Sequence, residues 1–527
     1  MRLPFTIAIL LACSGAIQAQ PDPNQVADAW NRLQSFGCKV VAYQSPVEPD
    51  GKGIAGLGLF THQRPLILLF PQKTSNYDLN GYLPLAAKLP NMRGLDLGRC
   101  PVGNDGVRLL DKFDNLEVLY LDGTSVGDDG MKSVATCARL RWLDISDTKV
   151  TDAGLAHLAA LKELRVLHSR RTSRNVEASK EAAKISDAGL NSIASMQKLR
   201  ELDLTGTGVT LEGAKGLGNC KDLRRLTLDR TGVTDNGLKA LADLPALERL
   251  SLVETGVTGV GCKDLATVKS LRELDLTDSR LTDDGAASIG DLKQLRRLDI
   301  ANSAPLPDEP TKPVRVQITD VGLAKLAGCR NLHVLNASQT RISGEGVGAL
   351  HEIPVLLELH LEQTPLQEKL LGGLRGMKSL QVLNLARTPI TGEGLFNIGE
   401  MKSLQALNLE STKLTDAGLA QVAQATTLTD LNLRGTQLAF VKVPDLKDLV
   451  NLARLDLVGT RVGDPIVKQL SALRSLQVVL ITDRALSTAA IRQLQKTLSE
   501  CRVLGVSASP KTPVAANVRP QRVPVFD

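Results

Sequence analysis

Aromatic residues are scarce in this chain of 527 residues: they make up only 3% of it, with two Trp and four Tyr. A core with so few rings must be built from Leu, Val, Ile and Ala, which suits thin stacked layers better than one large core. Hydrophobic residues (43%) and charged residues (23%) occur as in soluble folded proteins. The net charge of +6 is small for this length, so it does not by itself predict a nucleic-acid partner.

Motifs of the common enzyme classes are also missing. The sequence has no nucleophile elbow, P-loop, H-E-x-x-H element or C-x-x-C pair. We therefore expect a protein that is not an enzyme, with no catalytic residues, no metal ligands and no cofactor. Beyond the N-terminus no apolar run is long enough to span a bilayer, so no transmembrane segment is predicted.

The N-terminus, MRLPFTIAILLACSGAIQAQ, has the pattern of an export signal. Arg2 precedes a short apolar run, and Ala19 offers a small residue for cleavage. We predict a signal peptide at residues 1–19 and an exported protein, whether secreted, periplasmic or on the cell surface. Leu10–Cys13, followed by Ser14 and Gly15, also fits a bacterial lipoprotein box. A lipid anchor at Cys13 is therefore the alternative to a freely soluble product.

A pattern of leucines recurs every 24 residues along most of the chain. One repeat, LRWLDISDTKVTDAGLAHLA at Leu140–Ala159, joins a short L-x-L strand to a T-D-x-G-L segment in which the Thr is placed to cap a short helix. A single repeat cannot bury its leucines alone, so neighbouring repeats must stack. The strand residues that mark the repeats are Leu95, Leu119, Leu143, Leu167, Leu202, Leu226, Leu250, Leu274, Leu298, Leu335, Leu359, Leu383, Leu407, Leu431, Leu455 and Val479.

Two steps in this series are longer than 24 residues. The step from Leu167 to Leu202 is 35 residues and the step from Leu298 to Leu335 is 37, which indicates insertions of 11 and 13 residues. We place them at 173–183 and 304–316. Both leave their repeat between the strand and the T-D-x-G-L element, so we expect them to emerge from the same edge. Such loops can bind a partner or merely decorate the scaffold.

These repeats resemble those of leucine-rich repeat proteins. The T-D-x-G-L element, with Cys137, Cys220 and Cys329 each six residues before a strand leucine, resembles the ribonuclease-inhibitor-like and cysteine-containing subclass found in F-box proteins. Behind an export signal, the repeats look more like exported bacterial leucine-rich repeat proteins. The resemblance implies an α/β solenoid: a curved horseshoe with parallel strands on its concave face and short helices on its convex face.

The domain organisation follows from the extent of the repeats. We predict an N-terminal cap at 20–65, the solenoid with its two insertions at 66–509, and a disordered tail at 510–527. The strand-like segments at Leu66–Phe70 and Val503–Ser509 are expected to form the atypical first and last strands. The three cysteines that share one place in the repeat are predicted to be small buried core residues. Whether Cys38 and Cys100 pair is left open.

Charge on the predicted concave face argues against nucleic acid. The outward strand positions of the sixteen repeats carry 18 Asp and Glu against 10 Lys and Arg, although the whole chain is basic. A nucleic-acid binder would place basic residues on that face. The Asp and Asn residues in the column between the two strand leucines can form a binding strip, or can simply be a regularity of the repeat.

Five residues depart from the repeat pattern and are the predicted partner-binding site: Tyr120, Trp142, His168, Arg170 and Arg171. They project from three consecutive strands, next to the first insertion. Aromatic and arginine side chains are typical anchors of protein interfaces. The alternative is that Trp142 packs within the protein and covers the scaffold under the inserted loop.

The predicted function is an exported, non-enzymatic scaffold that binds a protein partner through its concave face and its two loops. A glycan-binding or structural protein of the cell envelope is the first alternative, with the polar column holding the polymer. A ubiquitin-ligase substrate receptor is the second, and the export signal disfavours it. No oligomeric state is predicted.

Overall fold

The computed structural model describes residues 23–42, 66–89, 92–172, 185–213, 216–303, 316–436, 438 and 446–506. The chain divides into two compact units, which we call unit 1 (up to Leu295) and unit 2 (from Arg296). The predicted signal peptide with Cys13, the insertion at 173–183, most of the insertion at 304–316 and the predicted tail lie outside the described residues.

Unit 1 is built on a sheet of short parallel strands. One strand per repeat is the arrangement that the 24-residue period predicts, and β1, within the predicted cap, adds antiparallel to β2. From β2 onward, each strand pairs in parallel with the next one along the chain. The strands are β1 (Lys39–Ala42), β2 (Leu66–Leu69), β3 (Met92–Asp96), β4 (Val118–Tyr120), β5 (Trp142–Asp144), β6 (Val166–His168), β7 (Glu201–Asp203), β8 (Arg225–Thr227), β9 (Arg249–Ser251) and β10 (Glu273–Asp275).

Unit 2 continues the same pattern of parallel strands, each paired with its successor. The predicted last strand is present and pairs with the strand that contains Val479. The strands are β11 (Arg297–Asp299), β12 (Val334–Asn336), β13 (Glu358–His360), β14 (Val382–Asn384), β15 (Ala406–Asn408), β16 (Asp430–Asn432), β17 (Arg454–Asp456), β18 (Val478–Thr482) and β19 (Arg502–Val506).

The insertions do not disturb the register of the strands. Leu167 lies beside Leu202 and Leu298 beside Leu335, as if the steps of 35 and 37 residues were ordinary repeats. At the second insertion the chain is fastened where it returns: the Val316 amide donates to Asn302 Oδ1 at 2.9 Å, and Asn302 Nδ2 donates to the Val316 carbonyl at 3.2 Å. Each insertion therefore leaves and re-enters a repeat that is otherwise intact.

Short helices follow the strands, and some repeats have a 3₁₀ helix where others have an α-helix. The α-helices are α1 (Pro23–Phe36), α2 (Asn76–Ala86), α3 (Asp128–Val134), α4 (Asp152–Leu158), α5 (Asp187–Ile193), α6 (Asp283–Gly290), α7 (Asp320–Lys325), α8 (Asp416–Val422), α9 (Val467–Leu470) and α10 (Thr488–Thr497). The 3₁₀ helices span Asn104–Lys112, Leu217–Asn219, Asp235–Leu241, Val260–Thr267, Leu326–Gly328, Glu345–Glu352, Glu368–Gly376, Glu393–Leu395, Ile398–Glu400, Leu446–Asp448 and Asp464–Ile466. No helix in the described ranges is both long and apolar enough to cross a membrane.

The N-cap predicted from the T-D-x-G-L element is present at Thr151 and Thr415, but Thr234, before a 3₁₀ helix, makes no such bond. Thr151 Oγ1 accepts a hydrogen bond from the Ala153 amide at 3.1 Å, and Thr415 does the same for Gly418. The helix α1 is not predicted by the repeat pattern, because it precedes the repeats. Its buried residues Val26, Ala29 and Leu33 nevertheless follow helical spacing, which is the signal that identifies it.

A column of buried threonines closes the turn after eleven of the strands. Thr148 Oγ1 donates to the Ile145 carbonyl at 2.7 Å, so a buried backbone acceptor is satisfied within its own repeat. The same bond is made by Thr124, Thr207, Thr231, Thr255, Thr340, Thr364, Thr388, Thr412, Thr436 and Thr460.

The aspartate of the T-D-x-G-L element connects one repeat to the next. Asp128 accepts hydrogen bonds from the amide and the hydroxyl of Thr151, both at 2.8 Å, across the boundary between repeats. A β-carbon on Gly154 would lie 2.4 Å from Asp128 Oδ1, so the glycine of this element is required by the close approach. The same double contact recurs at Asp152, Asp187, Asp235, Asp320, Glu368 and Asp464, each toward a Ser or Thr of the following repeat.

The cysteines that share one place in the repeat are buried, as predicted: Cys137, Cys220 and Cys329 are at most 3% exposed. Cys38 and Cys100, whose pairing the sequence left open, are buried free thiols. Burial raises the pKa of Cys38 to about 12 and that of Cys100 to about 11, so both thiols are neutral near pH 7.

Candidate functional site

The outward side chains of β2 to β10 form what we call the strand face of unit 1. At one end lies what we call the apolar patch: Ile67 and Val118 are buried, and the partly buried Leu69, Tyr120 and Trp142 pack against them. Strand register places Val118 beside Trp142 and Ile67 beside Gly94. Because Gly94 lacks a side chain, Ile67 can lie across β3: a β-carbon there would be 2.7 Å from Ile67 Cγ1. Tyr120 itself stands in a column where the neighbouring repeats carry Asp96 and Asp144.

Three predicted site residues form a row of rings across β4, β5 and β6. The rings of Tyr120 and Trp142 are 6.1 Å apart, and the ring of His168 meets Trp142 edge-on at 5.1 Å. Trp142 is partly buried, and its Nε1 atom is buried without a hydrogen-bond partner. Trp142 therefore packs against its strand neighbours while part of its ring remains exposed.

His168 lies between two carboxylates. Its Nε2 is 2.8 Å from Glu201 Oε1, and its Nδ1 is 3.8 Å from Asp144 Oδ2. Burial works to lower the pKa of His168, but the two carboxylates outweigh it and raise that pKa to about 9. The same contact with His168 lowers the pKa of Glu201. His168 is thus a mostly buried cation at pH 7, with 13% of its side chain exposed.

Arg170 extends this charge network to the next strand. Its guanidinium is 3.7 Å from Asp144 on one side and 3.7 Å from Asp203 on the other. Its Nε also donates to Ser146 Oγ at 3.4 Å. With 41% of its side chain exposed, Arg170 remains accessible to a partner.

Arg171 is engaged by the backbone. Its guanidinium donates to the carbonyls of Thr148 and Val150, the latter at 2.8 Å. Burial lowers the pKa of Arg171. The next residue, Thr172, donates its amide to Asp147 Oδ1 at 2.7 Å, at the point where the first insertion begins. Arg171 therefore fastens the base of the insertion, and its contribution to partner binding stays a prediction.

Two carboxylates that the sequence did not single out, Asp96 and Asp122, lie beside Tyr120, and a third, Glu201, contacts His168. Asp96 pairs in register with Tyr120, which itself lies beside Asp144. Burial raises the pKa of Asp96 and of Asp122, and the charge of Asp144 adds to the effect. The column of outward residues contained Asp96, but only the register shows that it flanks an aromatic ring.

Unit 2 has a different surface feature, a shallow hollow of about 170 Å³. It opens over Ala406, whose small side chain stands beside Val382 on one strand and Asp430 on the other. Asn408, Asn432 and Arg454 line its rim. In the part of the chain that the structure describes, no group of His, Cys, Asp and Glu side chains could hold a metal ion.

Comparison with known proteins identifies the repeats. The family described as "Leucine Rich repeat" matches residues 195–218, 219–242, 269–290 and 376–399. The fold is similar to that of a leucine-rich repeat protein of Leptospira interrogans, with 21% identity and a TM-score of 0.55, over 80% of this chain and 91% of that one. A search among curated proteins finds no match to this sequence.

Two further solved structures are similar at lower TM-scores. One is an internalin from Listeria monocytogenes (20% identity, TM-score 0.41, 65% of this chain and 79% of that one). The other is a TDR receptor (15% identity, TM-score 0.48, 81% and 70%). The chain thus carries leucine-rich repeats, and the predicted fold class, an α/β leucine-rich repeat solenoid, is confirmed. The ribonuclease-inhibitor-like subclass stays a prediction.

Proposed function

We propose that this protein is an exported, non-enzymatic scaffold that binds a protein partner through the strand face of unit 1. The observation that carries the proposal is the pair of partly exposed rings, Tyr120 and Trp142, which pack against the buried Ile67 and Val118. Partly exposed aromatic rings on a rigid sheet are typical interface anchors, because they lose little entropy on binding.

The surroundings of the patch support a specific interface. His168, Asp144 and Glu201 hold each other in fixed positions beside Trp142. Arg170 and the base of the first insertion border the same area. Stacked repeats present extended surfaces of this kind to their partners. Tyr120, Trp142 and Arg170 are the anchors we favour, with His168 and Arg171 as residues that position the surface.

A glycan-binding or structural role in the cell envelope is the second candidate. It is favoured by the amide and carboxylate side chains of unit 2, such as Asn408 and Asn432 at the rim of the hollow over Ala406. A ubiquitin-ligase role would need an intracellular protein, and the predicted export signal at residues 1–19 speaks against it. The same sequence leaves a lipid anchor at Cys13 open.

Affinity capture with the full-length processed protein tests the proposal. We expect the Tyr120→Ala/Trp142→Ala variant to retain its partner at least tenfold more weakly, since interface Trp and Tyr side chains contribute about 2 kcal/mol or more each. Tyr77→Ala is the matched control, because Tyr77 is an aromatic residue that is 87% exposed on α2, away from the strand face. Binding is measured with secreted and envelope fractions of the source organism, followed by mass spectrometry.

Three results would contradict the proposal. The first is equal capture by the wild-type protein and the strand-face variant. The second is retention of the wild-type protein on purified wall polymer without any protein partner, which would favour the glycan-binding role. The third is an uncleaved N-terminus in the natural protein, which would remove the export part of the proposal.

A further inference from the structure

Two carboxylates converge beside Tyr120. A β-carbon on Gly98 would lie 2.4 Å from Asp122 Oδ1 and 3.1 Å from Asp96 Oδ1, so both carboxylates reach over this glycine. Asp96 is the register partner of Tyr120, and Asp122 follows Tyr120 by two residues on the same side of the chain. The tyrosine ring and the two carboxylates therefore border one small area of the strand face.

Among the residues that the structure describes, few positive charges face this area. In the described structure Asp96 accepts a hydrogen bond from the Gly98 amide at 2.9 Å and makes no ion pair. Asp122 faces Arg99 at 3.8 Å, and that arginine is 75% exposed, so the pair is weak. The nearby cations His168 and Arg170 are already shared among other carboxylates.

Burial and repulsion from neighbouring carboxylates raise the pKa of both Asp96 and Asp122. Burial raises the pKa of Asp96, and the charge of Asp144 raises it further. For Asp122, burial is again the main cause, followed by the charges of Asp144 and Asp96. A cation from outside would relieve this repulsion, and it would also be attracted to the electron-rich faces of Tyr120 and Trp142.

We infer that the partner presents a basic segment, with an arginine or lysine side chain seated over Tyr120 and between Asp96 and Asp122. This inference rests on the proposed function and specifies the chemistry of the partner. The aromatic rings supply the flat contact and the carboxylates supply the charge, which is the combination that a guanidinium group satisfies best. An acidic segment would be repelled by the same two carboxylates.

Peptides of defined charge test the inference. The probes are the fluorescein-labelled peptides Gly-Arg-Gly-Arg-Gly-Arg-Gly and Gly-Glu-Gly-Glu-Gly-Glu-Gly, titrated with the full-length processed protein at about 0.15 M salt. We expect the arginine peptide alone to bind, and Asp96→Asn/Asp122→Asn to weaken it about tenfold. These substitutions keep the size of the side chains and the acceptor for the Gly98 amide, so the fold is retained.

The controls separate local recognition from general attraction. Asp275→Asn removes the same charge from the same column on β10, away from the aromatic rings, and should leave arginine-peptide binding unchanged. Arg99→Gln removes the cation that faces Asp122 and should strengthen binding a few-fold. Equal weakening by Asp275→Asn, or binding of the glutamate peptide, would overturn the inference.

The inference and the proposed function fail in different ways. Loss of partner capture in Tyr120→Ala/Trp142→Ala, together with full capture and unchanged peptide binding in Asp96→Asn/Asp122→Asn, would overturn the basic segment and leave the binding function standing. Unchanged capture in the aromatic variant would overturn the binding function itself. Loss of both capture and arginine-peptide binding in the carboxylate variant would support the basic segment.

Discussion

Among single residues, His168 connects the charged side chains of the strand face, because carboxylates lie on both sides of its ring. It contacts Trp142 edge-on, and its two ring nitrogens face Asp144 and Glu201. A neutral imidazole could donate to only one of these carboxylates, whereas the imidazolium can donate toward both. The protonation of His168 therefore sets the arrangement of the side chains next to the proposed anchors.

The pKa of His168 predicts how stability depends on pH. Because the folded state raises this pKa from 6.5 to about 9, the histidine stabilises the fold fully below pH 6.5 and loses this effect as the pH rises to about 9. We expect the difference in unfolding free energy between the wild-type protein and His168→Gln to fall over that range by about 3 kcal/mol at most. Urea denaturation at several pH values measures it.

Glu201→Gln is the matched control for this prediction. It keeps the shape of the side chain that lies 2.8 Å from His168 and removes its charge, so the histidine should titrate closer to pH 6.5. NMR titration of the His168 ring protons reports this shift directly. A stability difference that is independent of pH between 6.5 and 9 would show that His168 is not held as a cation.

The candidate site was predictable only in part. Counting along the 24-residue period places Tyr120, Trp142 and His168 on adjacent strands, because the register is fixed by the buried leucines. The 24-residue period does not predict which groups a long side chain will contact. Arg171 bends back to the carbonyls of Thr148 and Val150, and Asp122 reaches over Gly98; both depend on local three-dimensional packing.

For the repeat element, the T-D-x-G-L sequence is explained by contacts between neighbouring repeats. The threonine caps its own helix, and the aspartate accepts two hydrogen bonds from the Ser or Thr of the following repeat. The glycine leaves room for the carboxylate of the preceding repeat. The spacing within the T-D-x-G-L element is enough to predict the helix cap. The contact between repeats is not predictable in this way, because it depends on the distance between the turns of neighbouring repeats.

The adjacent residues Asp128 and Asp129 offer a matched test of this contact. Both lie in the first turn of α3, but only Asp128 reaches the next repeat, at Thr151. Asp129 forms an exposed ion pair with Lys132 at 2.6 Å. We expect Asp128→Ala to lower the free energy of unfolding by about 2 kcal/mol, because it leaves the Thr151 amide and hydroxyl without their acceptor. Asp129→Ala should have a much smaller effect, because its ion pair is exposed.

Chemical denaturation of the two variants measures the difference. Similar losses of stability in both variants would mean that the negative charge at the start of the helix, rather than the bonds to Thr151, stabilises the protein.

The choice between α and 3₁₀ helix in each repeat cannot be predicted from such local rules. The segment Thr234–Leu238 reads T-D-N-G-L like its neighbours, yet Asp235–Leu241 forms a 3₁₀ helix, and nothing in the repeat pattern separates it from α4.

Over the whole molecule, the contacts between repeats make the stability of the fold depend on acidic pH. Burial works to raise the pKa of Asp187, Asp320 and Glu368, but hydrogen bonds from the following repeat outweigh it and lower the pKa of each. Groups with a lowered folded pKa stabilise the protein above their unfolded pKa of about 4 and lose this effect as the pH falls. The partly buried Asp96 and Asp122, with raised pKa values, act in the opposite direction.

The variant Asp187→Asn/Asp320→Asn/Glu368→Gln isolates the contribution of these contacts. We expect it to be less stable than the wild-type protein at pH 7, and the difference to shrink as the pH falls below about 4. Urea midpoints across this range provide the measurement. A difference that stays constant down to about pH 2.5 would exclude a role for these carboxylates in acid sensitivity.

The undisturbed register at the insertions has a consequence for how this protein can change. Leu167 still pairs with Leu202, and Leu298 still pairs with Leu335. The length of each inserted loop can therefore change without changing which side chains are neighbours on the sheet. New recognition sequences can be tried in a loop without repacking any repeat, and single substitutions can alter the sheet surface without touching a loop. The architecture thus offers two independent routes to a new specificity, and a foreign segment grafted at either corner should leave the remaining surface as it was.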